Sequence, residues 1–115
     1  MKSLKEWPET ERPRERLLKE GAQNLSDAQL LAIILRTGSN GKTVIDTAVE
    51  LLNKFGGLKG IEEASMKELQ SFKGVGKAKI AQIKASFELG RRVLSQTVEE
   101  KTFNSARIIY DYFFP

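Results

Sequence analysis

The sequence predicts an all-α fold of about five short helices, built as two successive helix–turn–helix pairs. Three observations carry that reading. Apolar residues fall at helical spacing in the long segments, as in TVIDTAVELLNKF (43–55), where positions 44, 48, 51 and 55 share a face. Glycine-bearing turns separate those segments at Gly21, at RTGSNGK (36–42), at Gly56-Gly57 and at KGVG (73–76). Serines stand where helices need an N-cap, at Ser26 and Ser65.

Taken in order, Pro13 suits the first turn of a helix that runs to about Glu20 and closes at Gly21. Ser26 and Asp27 cap the next helix, DAQLLAIIL (27–35). RTGSNGK then turns the chain into the helix over 43–55, which Gly56 and Gly57 terminate. Ser65 with Glu68 matches the capping box S-x-x-E, so a helix runs from about Met66 to Phe72. KGVG breaks it, and a longer helix follows from Lys77 to about Leu94. On that helix Ile80, Ile83, Phe87 and Leu94 form an apolar seam, and Ala78, Ala81 and Ala85 a small-residue face. Lys77, Lys84 and Arg91 recur every seven residues as a polar stripe. It reads as the central helix, packed on two faces and basic on a third. The two serine-capped halves echo each other, with Gly41-Lys42 in the place of Gly76-Lys77. The tail TFNSARIIYDYFFP (102–115) has many apolar and aromatic residues and little chain left to cover them. Residues 1–100 are therefore expected to form the helical domain, and 101–115 to open a further one.

Composition removes several chemistries. At 115 residues, 40% hydrophobic and 30% charged, the chain is the size of one modest soluble domain. It contains neither cysteine nor histidine, so no thiolate nucleophile, imidazole base or Cys/His zinc cluster can be built from it. The N-terminus MKSLKEWPETERPRER alternates charge without an apolar core and is no signal peptide. The longest apolar run, LLAIIL (30–35), is far short of the ~20 residues that span a bilayer. A cytoplasmic protein with no membrane partner is expected.

The net charge of +4 is unevenly placed. Residues 1–64 balance ten Lys/Arg with ten Asp/Glu, residues 65–92 carry seven Lys/Arg against Glu68 and Glu88, and residues 93–115 are net −1. All the excess sits around KGVGKAK, which is the footprint of a polyanion partner. The first turn of a helix presents unpaired N–H groups and a partial positive charge, where anions bind. Gly74 and Gly76 leave those groups bare, Val75 between them would tuck into the core, and Lys73, Lys77 and Lys79 add charge beside them. The six residues form the expected phosphate-binding site. A carbonyl-lined turn of this kind could also hold a monovalent cation that bridges to the phosphate; no other cofactor is expected. Gly38, Ser39, Asn40, Gly41 and Lys42 form a second, degenerate hairpin that offers N–H groups and one lysine.

Rival readings fail on spacing. GSNGKT (38–43) is not a nucleotide-binding P-loop, because the glycine required five residues before Gly41 is Arg36. Trp7 reads as a packing anchor, and Arg12, Arg14 and Arg16 as an ion-pair face with Glu9, Glu11 and Glu15. Adjacent pairs such as Glu62-Glu63 compose no catalytic dyad. No catalytic residue is assigned.

RPRERLLKEGAQNLSDAQLLAIILRTGSNGKTV (12–44) followed by FKGVGKAKIAQIKASFELGRR (72–92) resembles the N-terminal domain of the bacterial RadC-like proteins. The likeness covers essentially the whole chain. It implies a tandem helix-hairpin-helix bundle of the SAM/RuvA-domain-2 kind, the non-sequence-specific DNA-binding unit of many repair proteins, with Gly74, Val75, Gly76 and Lys77 in the hairpin. One departure is Ile80, where the general hairpin pattern often has alanine. The resemblance further implies a downstream MPN/JAMM-type domain whose zinc site uses histidines and an aspartate. This chain has no histidine, so no hydrolase function is carried over to it. Two functions follow as expectations: a domain that grips DNA phosphates without base readout or catalysis, or a scaffolding module that positions the downstream domain.

Overall fold

The computed structural model describes residues 12–38 and 41–113; Trp7, Glu9, Glu11, Ser39 and Asn40 lie outside that range. The described residues form six α-helices and no strand, so the all-α expectation holds. The helices are α1 (Pro13–Glu20), α2 (Asp27–Leu35), α3 (Val44–Phe55), α4 (Leu58–Glu63), α5 (Met66–Gln70) and α6 (Lys77–Phe113), with a 3-10 turn at Ala22–Asn24.

Three helices start in the way their sequences dictate. Each begins on a reciprocal capping box: Ser26 with Gln29, Thr43 with Asp46, and Ser65 with Glu68. In the last, the Glu68 N–H donates to the Ser65 hydroxyl (3.1 Å) and the Ser65 N–H donates to the Glu68 carboxylate (3.0 Å). Two otherwise orphaned donors are satisfied at each start.

Two elements depart from expectation. Nothing in LKGIEE announces α4, because its N-cap Gly57 has no side chain and the helix has only six residues. Tertiary packing makes it. Ile61 is fully buried, and Gly60 lets the helix press on the end of α3, where a Cβ would stand 1.6 Å from the Phe55 carbonyl oxygen. Conversely, α6 does not stop near Leu94 but continues to Phe113, across the boundary placed at residue 100. Residues 95–113 contain no glycine or proline to end it.

The chain divides into two compact units, residues 1–84 and 85–115. The first holds the core. Leu31, Leu35, Ala48, Leu51, Ile61, Leu69, Ile80 and Ile83 are all buried there, with α2 and α3 packed most extensively together. At about 1.5–3 kcal/mol for each large aliphatic side chain, these residues dominate the stability of the unit. The second unit is the remainder of α6. Its Leu89, Val93, Leu94 and Val98 are exposed, and Glu88 pairs with Arg91 (3.6 Å) and Arg92 (2.9 Å). Leu94 therefore does not extend the buried seam of Ile80 and Ile83. The face of Ala78, Ala81 and Ala85 is also exposed rather than packed.

Lys84 is the other surprise in α6. Rather than joining a solvated stripe, its ammonium donates to the Glu62 carbonyl (3.2 Å) and to the Ala64 carbonyl, closing the end of α4. A lysine at a helix C-terminus satisfies acceptors that the helix cannot and complements its dipole. Lys84→Met keeps the stem and removes these bonds, so it is expected to cost about 1–3 kcal/mol in urea denaturation. The Glu68 carboxyl is held below the ordinary glutamate value by the Ser65 N–H, then by the Ser65 hydroxyl, with a smaller contribution from Lys84. A depressed carboxylate stabilises the fold above its unfolded pKa, and that contribution is lost as pH falls through the folded value. A carbon-detected NMR titration should show the Glu68 midpoint moving up in Ser65→Ala, and to a lesser degree in Lys84→Met.

Candidate nucleic-acid interface

The turn between α5 and α6 is seated by its middle residue. Val75 is buried at 4% exposure, while Lys73, Gly76 and Lys77 on either side are exposed. Gly74 takes φ 99°, a conformation that side chains adopt only at a cost, so glycine is required there. Gly76 begins α6, its carbonyl accepting the Ile80 N–H (3.0 Å), and a Cβ on Gly76 would meet nothing within 4 Å. The first turn of α6 contains no acidic residue. The result is a helix start with open space above it, no capping side chain from its own N-cap residue, and Lys73 and Lys77 beside it. Neither lysine makes an ion pair among the described residues.

The other glycine turn has a different chemistry. The start of α3 is already occupied: Thr43 takes the Asp46 N–H (3.2 Å), and the Asp46 carboxylate accepts from the Thr43 N–H (3.3 Å). A carboxylate sits where an anion would bind, and Lys42 is paired with Glu50. Gly38 serves close packing, since a Cβ there would stand 2.0 Å from the Lys42 carbonyl oxygen. Of this turn's expected contributors, Gly41 remains open above and at φ 75°.

The structure brings the two turns together through Lys79. Its ammonium, half-buried and pulled below the ordinary lysine range by burial, donates to the Thr37 carbonyl. Lys79 is thus a strut between the turns, while Lys73 and Lys77 face solvent. The basic excess of 65–92 shrinks accordingly. Lys79 and Lys84 bind carbonyls, and in the second unit Arg91 and Arg92 share Glu88. Lys54 adds to the first unit's surface, its ammonium 5.9 Å from the centre of the Phe72 ring.

Sequence reading passed over one residue at this site. Arg36, which caps the end of α2, has φ 70° and ψ −47°, and it alone among the described non-glycine residues has positive φ. The Thr37 N–H donates across it to the Leu35 carbonyl (2.8 Å), which closes a γ-turn of the rare, strained form. Nothing in LRTG signals this, because arginine has no preference for that region.

These features define an all-helical domain with a bare, basic helix start set beside a second glycine turn. The chain belongs to the UPF0758 family: residues 4–81 match the model described as "UPF0758 N-terminal". It is 50% identical over 115 residues to a UPF0758 protein of Trichlorobacter lovleyi, covering 96% of this chain and 50% of that one. It is 52% identical over 112 residues to a relative in Dechloromonas aromatica (96% and 50%), and 51% over 110 to one in Coprothermobacter proteolyticus (95% and 47%). The chain thus spans about half the length of these relatives. No solved structure matches it. Among the described residues, no helix is long and apolar enough to cross a membrane.

Gly76→Ser tests the bare start directly. A serine N-cap satisfies a first-turn N–H and should leave stability unchanged or raise it by about 0.5 kcal/mol. It also competes for the donors that an anion would use, so inorganic phosphate should perturb the amide signals of residues 76–79 in the parent chain and less in the variant.

Proposed function

We propose that this domain holds DNA by its phosphate backbone, through the Gly74–Lys77 turn and its flanking lysines, without base readout and without catalysis. The observation that carries the reading is the buried Val75 beneath a helix start with open space above Gly76, with Lys73 and Lys77 exposed beside it and in no ion pair among the described residues. Backbone N–H groups and lysines bind any phosphate alike, so the contacts position the strand and carry no sequence information. The resemblance to RadC-like proteins supports the same reading, and we take the domain to act in the cytoplasm, ahead of a JAMM-type domain in the longer protein. A monovalent cation held by the turn's carbonyls would strengthen the same contact.

A second reading has its own observation. Leu89, Val93, Leu94 and Val98 are exposed along α6, as they would be if this helix docked the downstream domain. On that reading α6 is a scaffold and the turn is only a turn.

Titration of the isotope-labelled chain with a short DNA duplex separates the two. The DNA reading expects amide shifts at residues 73–79, micromolar or weaker affinity, and a steep fall in affinity with salt. Replacing both Lys73 and Lys77 with Glu should abolish binding at moderate salt while helicity is unchanged. Milder replacement of both by Gln should flatten the log–log salt slope by about 2, one for each phosphate that a lysine no longer neutralises. Unshifted amides at 73–79 on saturation with DNA would refute the site.

A further inference from the structure

Arg36 is a cation that the packing of the first unit does not use. It is exposed and makes no ion pair among the described residues. Arg14 and Arg16 differ, since each is held by a glutamate: Arg14 lies 3.5 Å from Glu15 and Arg16 3.4 Å from Glu20. Arg36 also sits at φ 70°, where any side chain strains the turn and glycine would not. An arginine there adds nothing to the core and destabilises the backbone that carries it. What it contributes is an exposed guanidinium.

That guanidinium springs from a place close to the bare start of α6. The next residue, Thr37, offers its carbonyl to the Lys79 ammonium. Lys79 lies in the first turn of α6, two residues beyond Lys77. One residue of chain and one lysine side chain therefore join Arg36 to the helix start. The backbone of the α2–α3 turn has no first-turn donors to spare for an anion, because Asp46 closes the start of α3, and Lys42 is neutralised by Glu50. Arg36 is the cation of residues 36–43 that remains.

We propose that Arg36 binds a second phosphate of the same DNA that the Gly74–Lys77 turn holds. The inference rests on the nucleic-acid reading above and deepens it. Two glycine turns would grip one DNA at two points, by backbone amides and lysines at one and by a side chain at the other. Residue type agrees: a guanidinium keeps its charge at every relevant pH and its planar fork binds phosphate oxygens in pairs. The letters shared by the two turns thus hide different chemistry, with the closed helix start of α3 replaced as a contact by the arginine just before it.

The test measures binding of the 115-residue chain to a short fluorescent duplex by anisotropy across a series of salt concentrations. Arg36→Gly should weaken binding about tenfold at low salt, the loss expected of one charge-assisted contact. It should flatten the log–log salt slope by about 1, as for one phosphate no longer neutralised. The melting temperature should stay or rise, because the turn is no longer strained. Arg36→Gln keeps the strained turn and removes only the charge, so it should flatten the slope equally, even if the glycine variant folds poorly. Arg36→Lys should retain the slope while recovering only part of the affinity, since an ammonium is a point charge without the fork. Adding Arg36→Gln to the Lys73→Gln, Lys77→Gln pair should bring the total flattening to about 3, as for contacts made to one DNA. Parent-like affinity and slope in Arg36→Gln overturn the role of Arg36 and leave the Gly74–Lys77 reading standing. Weaker binding with an unchanged slope likewise overturns it, since no phosphate contact has then been lost. Failure of the parent chain to bind the duplex overturns both.

Discussion

The structure depends on how the first two turns of α6 are sunk into the first unit. Val75, Ile80 and Ile83 are all buried at 4% exposure or less, and together they fix the helix start in position and direction. Everything distinctive about the surface follows from that anchorage. With Val75 inward, Gly76 and Lys77 must face out. With Ile80 and Ile83 inward, Lys79 and Lys84 emerge on flanks close enough to reach the Thr37 and Ala64 carbonyls. A lysine stem can lie along apolar surface while its head finds polar partners, and here two of them become internal struts. One buried segment thus ties down the α2–α3 turn and the end of α4 at once.

Much of this was legible in the sequence, and the residues show why. Capping boxes are local: Ser65 and Glu68 specify each other within one turn, so the start of α5 could be read directly. The inward Val75 was legible because an apolar residue between two glycines has nothing but the core to stabilise it. The helix α4 was not, since it owes its existence to Ile61 and Gly60 meeting α3, a tertiary fact with no periodic signature in six residues. The strain at Arg36 was illegible for a related reason. It arises from how α2 must end to deliver the chain to α3.

Counting charge along the chain overstated what the surface offers. Seven basic residues in 65–92 form one block in sequence, yet Lys79 and Lys84 are bound to carbonyls and Arg91 and Arg92 share a carboxylate. Lys67, Lys73 and Lys77 are what remains for a partner. Equally, the likeness between the two glycine turns was a likeness of letters. Lys42 precedes the N-cap of α3, whereas Lys77 follows the N-cap of α6, and that shift of two places changes the chemistry. At α3 the helix start is closed by Asp46, its own internal anion; at α6 glycine leaves it open. Two turns of similar sequence can therefore differ in role, one closed by its own carboxylate and the other left open.

The strained turn shows how this division is maintained. A γ-turn of the positive-φ kind persists only where neighbouring bonds over-determine it. Three do so here. The Arg36 N–H donates to the Ala32 carbonyl (2.9 Å) and ends α2, the Thr37 N–H donates to the Leu35 carbonyl (2.8 Å), and Lys79 holds the Thr37 carbonyl from the far side. The first two are local to the turn. The third comes from α6, and exists only because Ile80 and Ile83 are buried beside it. Loss of the α6 anchorage would thus remove one of three restraints on Arg36, which could then relax toward the ordinary helical or extended regions. The conformation of Arg36 and the exposure of Gly76 are consequences of the same buried side chains, at positions 40 residues apart in sequence.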